Sequence, residues 1–390
     1  MNATAPTAAD LDAIPIEALR ASGSLKWTRF DGDVIGAFVA EMDFGTAPAV
    51  TAALHEAVDA TTFGYLPDAL SRAMSEACAA WQSTTYGWNV DADDVHPLPD
   101  VIRGLTAAIE HFSTPGSKVV LPTPAYMPFF TVPATMGREI IEVPMAHDAD
   151  GRHRFDLDGI GSAFDAGGGL LVLCNPHNPV GRVYERDELA ALSQVVDAHS
   201  GRVFADEIHS PLVFPPHRHV PYASVSDVAA SHAVTATSAS KAWNLPGLKC
   251  AQLIISNDAD AALWGEVGLV VAHGASNLGV VATTAAFASG GEWLGGILDY
   301  LDGSRLLLAD LLAEHLPAIG YAPPEGTYLT WLDCRGLGLG DAPAEVFQER
   351  GGVVLVDGVR CGGPGYVRLN IATPRPVLGE IVARMARAVG

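Results

Sequence analysis

Three residues able to do chemistry follow one another along this chain, each in a small-residue or turn-rich setting at the end of an apolar run. Asn178 lies in Asn-Pro-His-Asn-Pro-Val-Gly, Asp206 in Ala-Asp-Glu-Ile-His, and Lys241 in Ser-Ala-Ser-Lys-Ala-Trp-Asn-Leu-Pro-Gly-Leu-Lys. A lysine amine can form a Schiff base with an aldehyde. An aspartate can keep a pyridine nitrogen protonated and an asparagine can hydrogen-bond a ring hydroxyl, so the trio is what pyridoxal phosphate needs. A lone lysine would read as a solvated surface charge. Three ordered motifs make Lys241 the expected catalytic amine.

These motifs resemble those of fold-type I pyridoxal phosphate enzymes, and their wording is similar to the MalY/PatB branch of cystathionine β-lyase-like C–S lyases. The likeness runs through nearly the whole chain. It includes Ala40-Glu41-Met42-Asp43-Phe44, Phe63-Gly64-Tyr65, Thr123-Pro124-Ala125-Tyr126, His217-Arg218-His219-Val220-Pro221-Tyr222-Ala223-Ser224, Gly326-Thr327-Tyr328-Leu329 and Val367-Arg368-Leu369-Asn370. The resemblance implies an α/β fold: a large domain with a mainly parallel seven-stranded sheet, and a small α+β domain.

It also implies roles. Lys241 would bind the cofactor aldehyde and move the Cα proton, Asp206 would pair with the ring nitrogen, and Asn178 would bond the ring hydroxyl. Its neighbour Glu207 is the bland alternative to Asp206. Tyr126 resembles the aromatic that stacks on the ring. Phosphate would meet the helix start at Val101 and Ile102, with Ser238 and Lys249 as further contacts. Lys249 stands where arginine is common, keeping charge but losing a bidentate fork. Asp100 departs from the small residue usual there, and is expected to cap the helix with its carboxylate turned away. Tyr65 resembles a tyrosine lent to the partner subunit's phosphate, which implies a homodimer with shared sites. Arg368 matches the arginine that forks onto the substrate α-carboxylate, whereas Arg375 reads as a surface charge. His177 and His209 read as packing or hydrogen-bonding groups, since no metal-ligand spacing recurs.

Strands alternating with helices must position these residues. Strand candidates at 118–121, 139–143, 170–174, 202–205, 233–237 and 252–256 give a mainly parallel sheet covered on both faces. Such sheets bind ligands at their carboxyl edge, and Tyr126, Asn178, Asp206 and Lys241 all lie just past a strand end. The two X-Pro steps around Asn178 predict an extended loop. From about Gly291 a long helical stretch reaches Leu316, followed by strand-like 327–332, 353–356 and 366–369 and a last helix after Pro376. The expected division is 1–45 joining the small domain, 46–285 the cofactor domain and 286–390 the small domain.

A chain of 390 residues that is 49% hydrophobic has ample core for two lobes. A net charge of −22, with 23 Lys and Arg that do not cluster, speaks against nucleic acid. Five cysteines without a Cys-x-x-Cys pair suit a reducing cytoplasm. Acidic Asp10 and Asp12 speak against a signal peptide. Residues 119–136 are apolar enough for a membrane span, but Pro122, Pro124, Pro128 and Pro133 predict a buried loop instead. The resemblance implies cleavage of L-cystathionine or a related cysteine S-conjugate. The alternatives are an aminotransferase and a regulatory protein that keeps a lyase site.

Overall fold

A seven-stranded sheet organises one of the two compact units into which the chain divides, that of Thr46–Pro176 and Arg182–Gly291. The structure, a computed structural model, describes residues 5–149 and 151–390. Across the sheet the strands run Val95–Leu98, Ala251–Ile255, Ala233–Thr237, Arg202–Asp206, Gly168–Cys174, Lys118–Thr123 and Ile140–Pro144. Ala251–Ile255 is antiparallel to both neighbours and every other pairing is parallel.

Strands buried on both faces need continuous apolar runs, and Leu-Leu-Val-Leu-Cys is one. Alternate side chains point to opposite faces. Leu170, Val172 and Cys174 share a core with Leu105 and Ile109 of helix Val101–His111. Leu171 and Leu173 share another with Leu189 and Leu192 of helix Arg186–Ala198. Helices thus cover both faces, the α/β arrangement the motifs imply. Helix Val101–His111 comes in closely because it carries Gly104, where a Cβ would stand 3.2 Å from the Ala236 methyl.

All six strand candidates are present, with ends within two residues of expectation. The seventh, Val95–Leu98, was not among them, because a short strand containing Pro97 carries little strand signal; at the sheet edge that proline is tolerated. Residues 119–136 differ from expectation. They form strand Lys118–Thr123 and then helix Pro128–Thr135, not a prolyl loop. Pro128 opens the helix, where its missing N–H costs nothing, and Pro133 falls late in an eight-residue helix, forfeiting a single bond. No described helix is long and apolar enough to cross a membrane.

The other unit comprises Met1–Gly45, His177–Gly181 and Glu292–Gly390. Its antiparallel sheet runs Gly320–Tyr321, Leu329–Asp333, Tyr366–Asn370, Val356–Asp357, accompanied by helices Pro343–Gly351 and Arg375–Val389. Within it Lys26 and Asp43 form a buried ion pair, Nζ to Oδ2 2.7 Å, with side chains 1% and 3% exposed. Lys26 Nζ also donates to Ala372 O at 3.3 Å, and Trp27 Nε1 donates to the other Asp43 oxygen at 2.8 Å. Removing one member strands a buried charge, whereas replacing both by apolar groups does not. Asp43→Ala should therefore cost about 3–5 kcal/mol in urea unfolding. Lys26→Met with Asp43→Leu should recover most of that loss.

Candidate active site

The parallel register sets Cys174, Asp206 and Ala236 in one row across three strands, so the segments that follow leave from the same edge. Asp206 ends its strand, only 4% exposed, with Oδ1 accepting the Ile208 N–H at 3.0 Å. Burial pushes its carboxyl up to about 7; the Ile208 N–H and the Lys241 charge pull the other way, and Glu207 adds to the rise. A carboxylate so desolvated suits a cationic partner. The protonated ring nitrogen of pyridoxal phosphate is such a partner, and the residues present fit that cofactor.

Lys241 sits in a tightly bonded turn directly after strand Ala233–Thr237. Ser238 Oγ donates to Cys250 O at 2.7 Å and accepts the Ser240 N–H at 3.0 Å; the Trp243 N–H reaches Ala239 O at 3.0 Å. Trp243 is fully buried, with Nε1 donating to Gly290 O at 3.0 Å and its ring edge-on to Trp81 at 5.2 Å. The chain on either side of the lysine is therefore fixed while its half-buried side chain lies within electrostatic reach of Asp206. Ser238 is itself buried, its hydroxyl proton directed to Cys250 O.

Helix Val101–His111 begins at Asp100, whose Oδ1 accepts the Arg103 N–H at 2.9 Å, as expected of a cap. Its second oxygen meets Lys249 Nζ at 2.9 Å. The first N–H groups of this helix, at Val101 and Ile102, and the Lys249 ammonium together offer positive charge to an anion. Both members of the Asp100–Lys249 pair are solvated, so the pair is weak. Tyr126 is half-buried, its ring edge-on to Phe129 at 5.5 Å. Tyr65 stands out on the surface, 94% exposed, near exposed Phe63. The Tyr65 loop is held by Asn277 Nδ2, which donates to Gly64 O at 2.9 Å, and it lines a cavity of about 600 Å³ with Leu269 and His273.

In the other unit Arg368 is buried in strand Tyr366–Asn370, donating from Nη1 to Asn178 Oδ1 at 3.0 Å and from Nη2 to Phe38 O at 2.9 Å. The structure thus joins two predicted site residues. Asn178 lies in a turn closed by the Gly181 N–H on His177 O at 2.7 Å, not in an extended loop; Gly181, at φ +73°, lets the chain fold back. Asn370 Nδ2 donates to Val39 O and Glu41 O, each at 2.7 Å, and the Tyr328 hydroxyl to Ala40 O at 3.0 Å. Arg375 corrects another expectation. It is no free surface charge, because its guanidinium lies 4.3 Å over the Tyr300 ring and donates to Tyr300 O at 3.1 Å. His177 and His209 are buried, and no group of three potential metal ligands occurs among the described residues.

The family described as aminotransferase class I and II matches residues 33–385, and the chain belongs to it. It is 40% identical to the cystathionine beta-lyase of Corynebacterium glutamicum over 95% of this chain and 98% of that one. It is 32% identical to cystathionine beta-lyase PatB of Bacillus subtilis, covering 94% and 96%. The PLP-bound C-S lyase of Staphylococcus hominis superposes with a TM-score of 0.87 at 28% identity, over 95% of this chain and 96% of that one. The fold is that of the fold-type I pyridoxal phosphate enzymes.

Sequence reading gave no task to Asn370, His219 or Lys26. The first two lie inside quoted motifs, whereas nothing in the sequence marks Lys26 as buried. The raised Asp206 carboxyl carries a stability consequence. Its folded-state value lies above the ordinary 3.8, so the folded, cofactor-free protein holds the proton more tightly, and stability is lost as pH rises to about 7. Asp206→Asn removes that loss. Its stability advantage over the parent should widen by up to about 4 kcal/mol between about pH 4 and about pH 8 in denaturant melts of cofactor-free protein.

Proposed function

We propose that the chain cleaves L-cystathionine or a related cysteine S-conjugate to a thiol, pyruvate and ammonia. It is a pyridoxal phosphate-dependent carbon–sulfur lyase. The observation that carries the reading is Asp206, a desolvated carboxylate at the carboxyl edge of the sheet within reach of Lys241. Likeness to cystathionine beta-lyases over almost the full length supports the carbon–sulfur chemistry.

When bound, pyridoxal phosphate supplies an electron sink for the pair left at the substrate Cα. The chain's residues do the rest. Asp206 would hold the positive ring nitrogen, and Asn178 would bond the ring hydroxyl. Tyr126 would stack on the ring. Val101 and Ile102 N–H groups, Lys249 and Ser238 would hold the phosphate. Arg368 would grip the α-carboxylate with a planar fork, and the Lys241 amine would take the proton from Cα. A thiolate is a good leaving group from Cβ, which favours elimination over reprotonation.

In this reading residues 46–285 form the cofactor domain, and 1–45 with 286–390 the small domain. Exposed Tyr65 and Phe63 support a homodimer in which each Tyr65 completes the partner's phosphate site. Five free, buried cysteines support residence in the cytoplasm.

The family description favours one competitor, an aminotransferase. Incubation with L-cystathionine, with and without 2-oxoglutarate, separates the two. The lyase should release pyruvate and thiol without the keto acid, and Lys241→Ala should release neither. Turnover that requires the keto acid and yields no thiol would move the chain to the aminotransferases. The dimer has its own test. Tyr65→Phe should weaken cofactor retention, and mixing it with inactive Lys241→Ala should restore activity, because each hybrid holds one intact composite site. An active monomer rules this out.

A further inference from the structure

Glu207 and His219 take no part in the chemistry above, yet neither side chain is exposed at all, and His219 Nε2 lies 3.1 Å from Glu207 Oε2. The other carboxylate oxygen, Oε1, accepts the Tyr222 N–H at 2.7 Å. His219 Nδ1 meets no hydrogen-bond partner among the described residues. A buried N–H there would be wasted, so the geometry puts the donated proton on Nε2, facing Glu207. Tyr86 closes over the imidazole, the rings edge-to-face at 4.9 Å.

What this clamp holds is the turn that aims Asp206. The bond from the Ile208 N–H to Asp206 Oδ1, 3.0 Å, spans Glu207, so the direction of the Asp206 carboxylate depends on where Glu207 is held. The main chain of Glu207 is fixed as well, its N–H donating to Ala236 O at 2.8 Å and its carbonyl accepting from Thr237 Oγ1 at 3.3 Å. The segment carrying His219 reaches a second motif. Val220 O accepts Asn175 Nδ2 at 3.3 Å, and the Asn175 N–H donates to Asp206 O at 2.9 Å. The His217–Ser224 motif thereby braces the strand end of Asp206 from two sides.

We propose that His219 is a positioning residue for Asp206, acting through Glu207: its Nε2–H, with the Tyr222 N–H, clamps the Glu207 carboxylate and so fixes the turn that points Asp206 at the cofactor's ring nitrogen. The proposal rests on the pyridoxal phosphate reading of Asp206. It also has an electrostatic sign. The Ile208 N–H lowers the Asp206 carboxyl, as does Lys241, whereas burial and Glu207 raise it; the neighbouring strand places Cys174 beside it. Loosening the turn weakens the Ile208 bond, so Asp206 keeps its proton to higher pH and pairs less well with a protonated ring.

Two amides of unequal reach test this. In His219→Gln the side-chain nitrogen can take the place of Nε2, whereas in His219→Asn it stops short of Glu207. For the parent, both variants and Asp206→Asn, the dissociation constant of pyridoxal phosphate from cofactor-free protein is measured against pH by fluorescence titration, alongside kcat per bound cofactor and KM. His219→Asn should bind the cofactor about tenfold more weakly near neutral pH, the equivalent of one pKa unit at the acid. Its affinity should also fall off at higher pH than the parent's, and kcat per bound cofactor should drop while KM stays. His219→Gln should restore all three. A His219→Asn variant that follows the parent's pH curve, or loses affinity equally at every pH, overturns the proposal and leaves the cofactor reading standing. Asp206→Asn that binds the cofactor as tightly as the parent overturns both.

Discussion

The register of the central parallel strands is the constraint from which the cofactor-side chemistry follows. Because Cys174, Asp206 and Ala236 stand opposite one another, the segments carrying Asn175, Glu207 and Ser238 all begin at one edge of the sheet. A one-residue slip would turn every strand side chain to the opposite face and mix the two cores. The apolar runs on both faces forbid that slip. The position of Asp206 is therefore paid for by the burial of residues such as Leu171, Val203 and Val234, none of which has any chemistry.

That position is costly for the carboxylate itself. Water is excluded, and the nearby charge of Glu207 adds to the difficulty of ionising Asp206. The protein accepts this at a site where a cation is to be held, since an acid already well solvated or paired would have little to gain from a pyridinium ring. The turn after Asp206 is correspondingly over-determined, with bonds to Ile208, Asn175 and the strand of Ala236. Lys241 is treated alike. Its flanking residues are bonded and buried, leaving only the amine end to move.

The carboxylate-binding side is built by a different means. Arg368 and Asn370 project from one strand and bond the carbonyls of Phe38, Val39 and Glu41, with Tyr328 taking Ala40. A stretch of irregular chain near the N-terminus is thus held by side chains in place of a ladder, which satisfies its backbone groups. The Lys26–Asp43 pair pins the far end of the same stretch. This arrangement gives the conserved-looking wording of Ala40-Glu41-Met42-Asp43-Phe44 a physical reason: Asp43 is needed as a buried counter-ion.

Much of this was legible in the residues alone. Continuous apolar runs located six strands, the spacing of motifs past their ends located Asp206 and Lys241, and Asp100 read correctly as a cap because capping depends only on the next three residues. What local signals could not reach was decided by tertiary contact. A strand as short as Val95–Leu98 exists because Ala251–Ile255 pairs with it, and helix Pro128–Thr135 tolerates Pro133 because only one bond is forfeited. The turn at Asn178 is closed by Gly181, and Arg375 is stacked on Tyr300. Lys26 and Asp43 are seventeen residues apart and Glu207 and His219 twelve, with no periodicity linking either pair. The sequence by itself determined which residues could do chemistry and the sheet they follow; only the folded structure decided which carboxylates are buried and what clamps them, because desolvation depends on atoms brought in from distant parts of the chain.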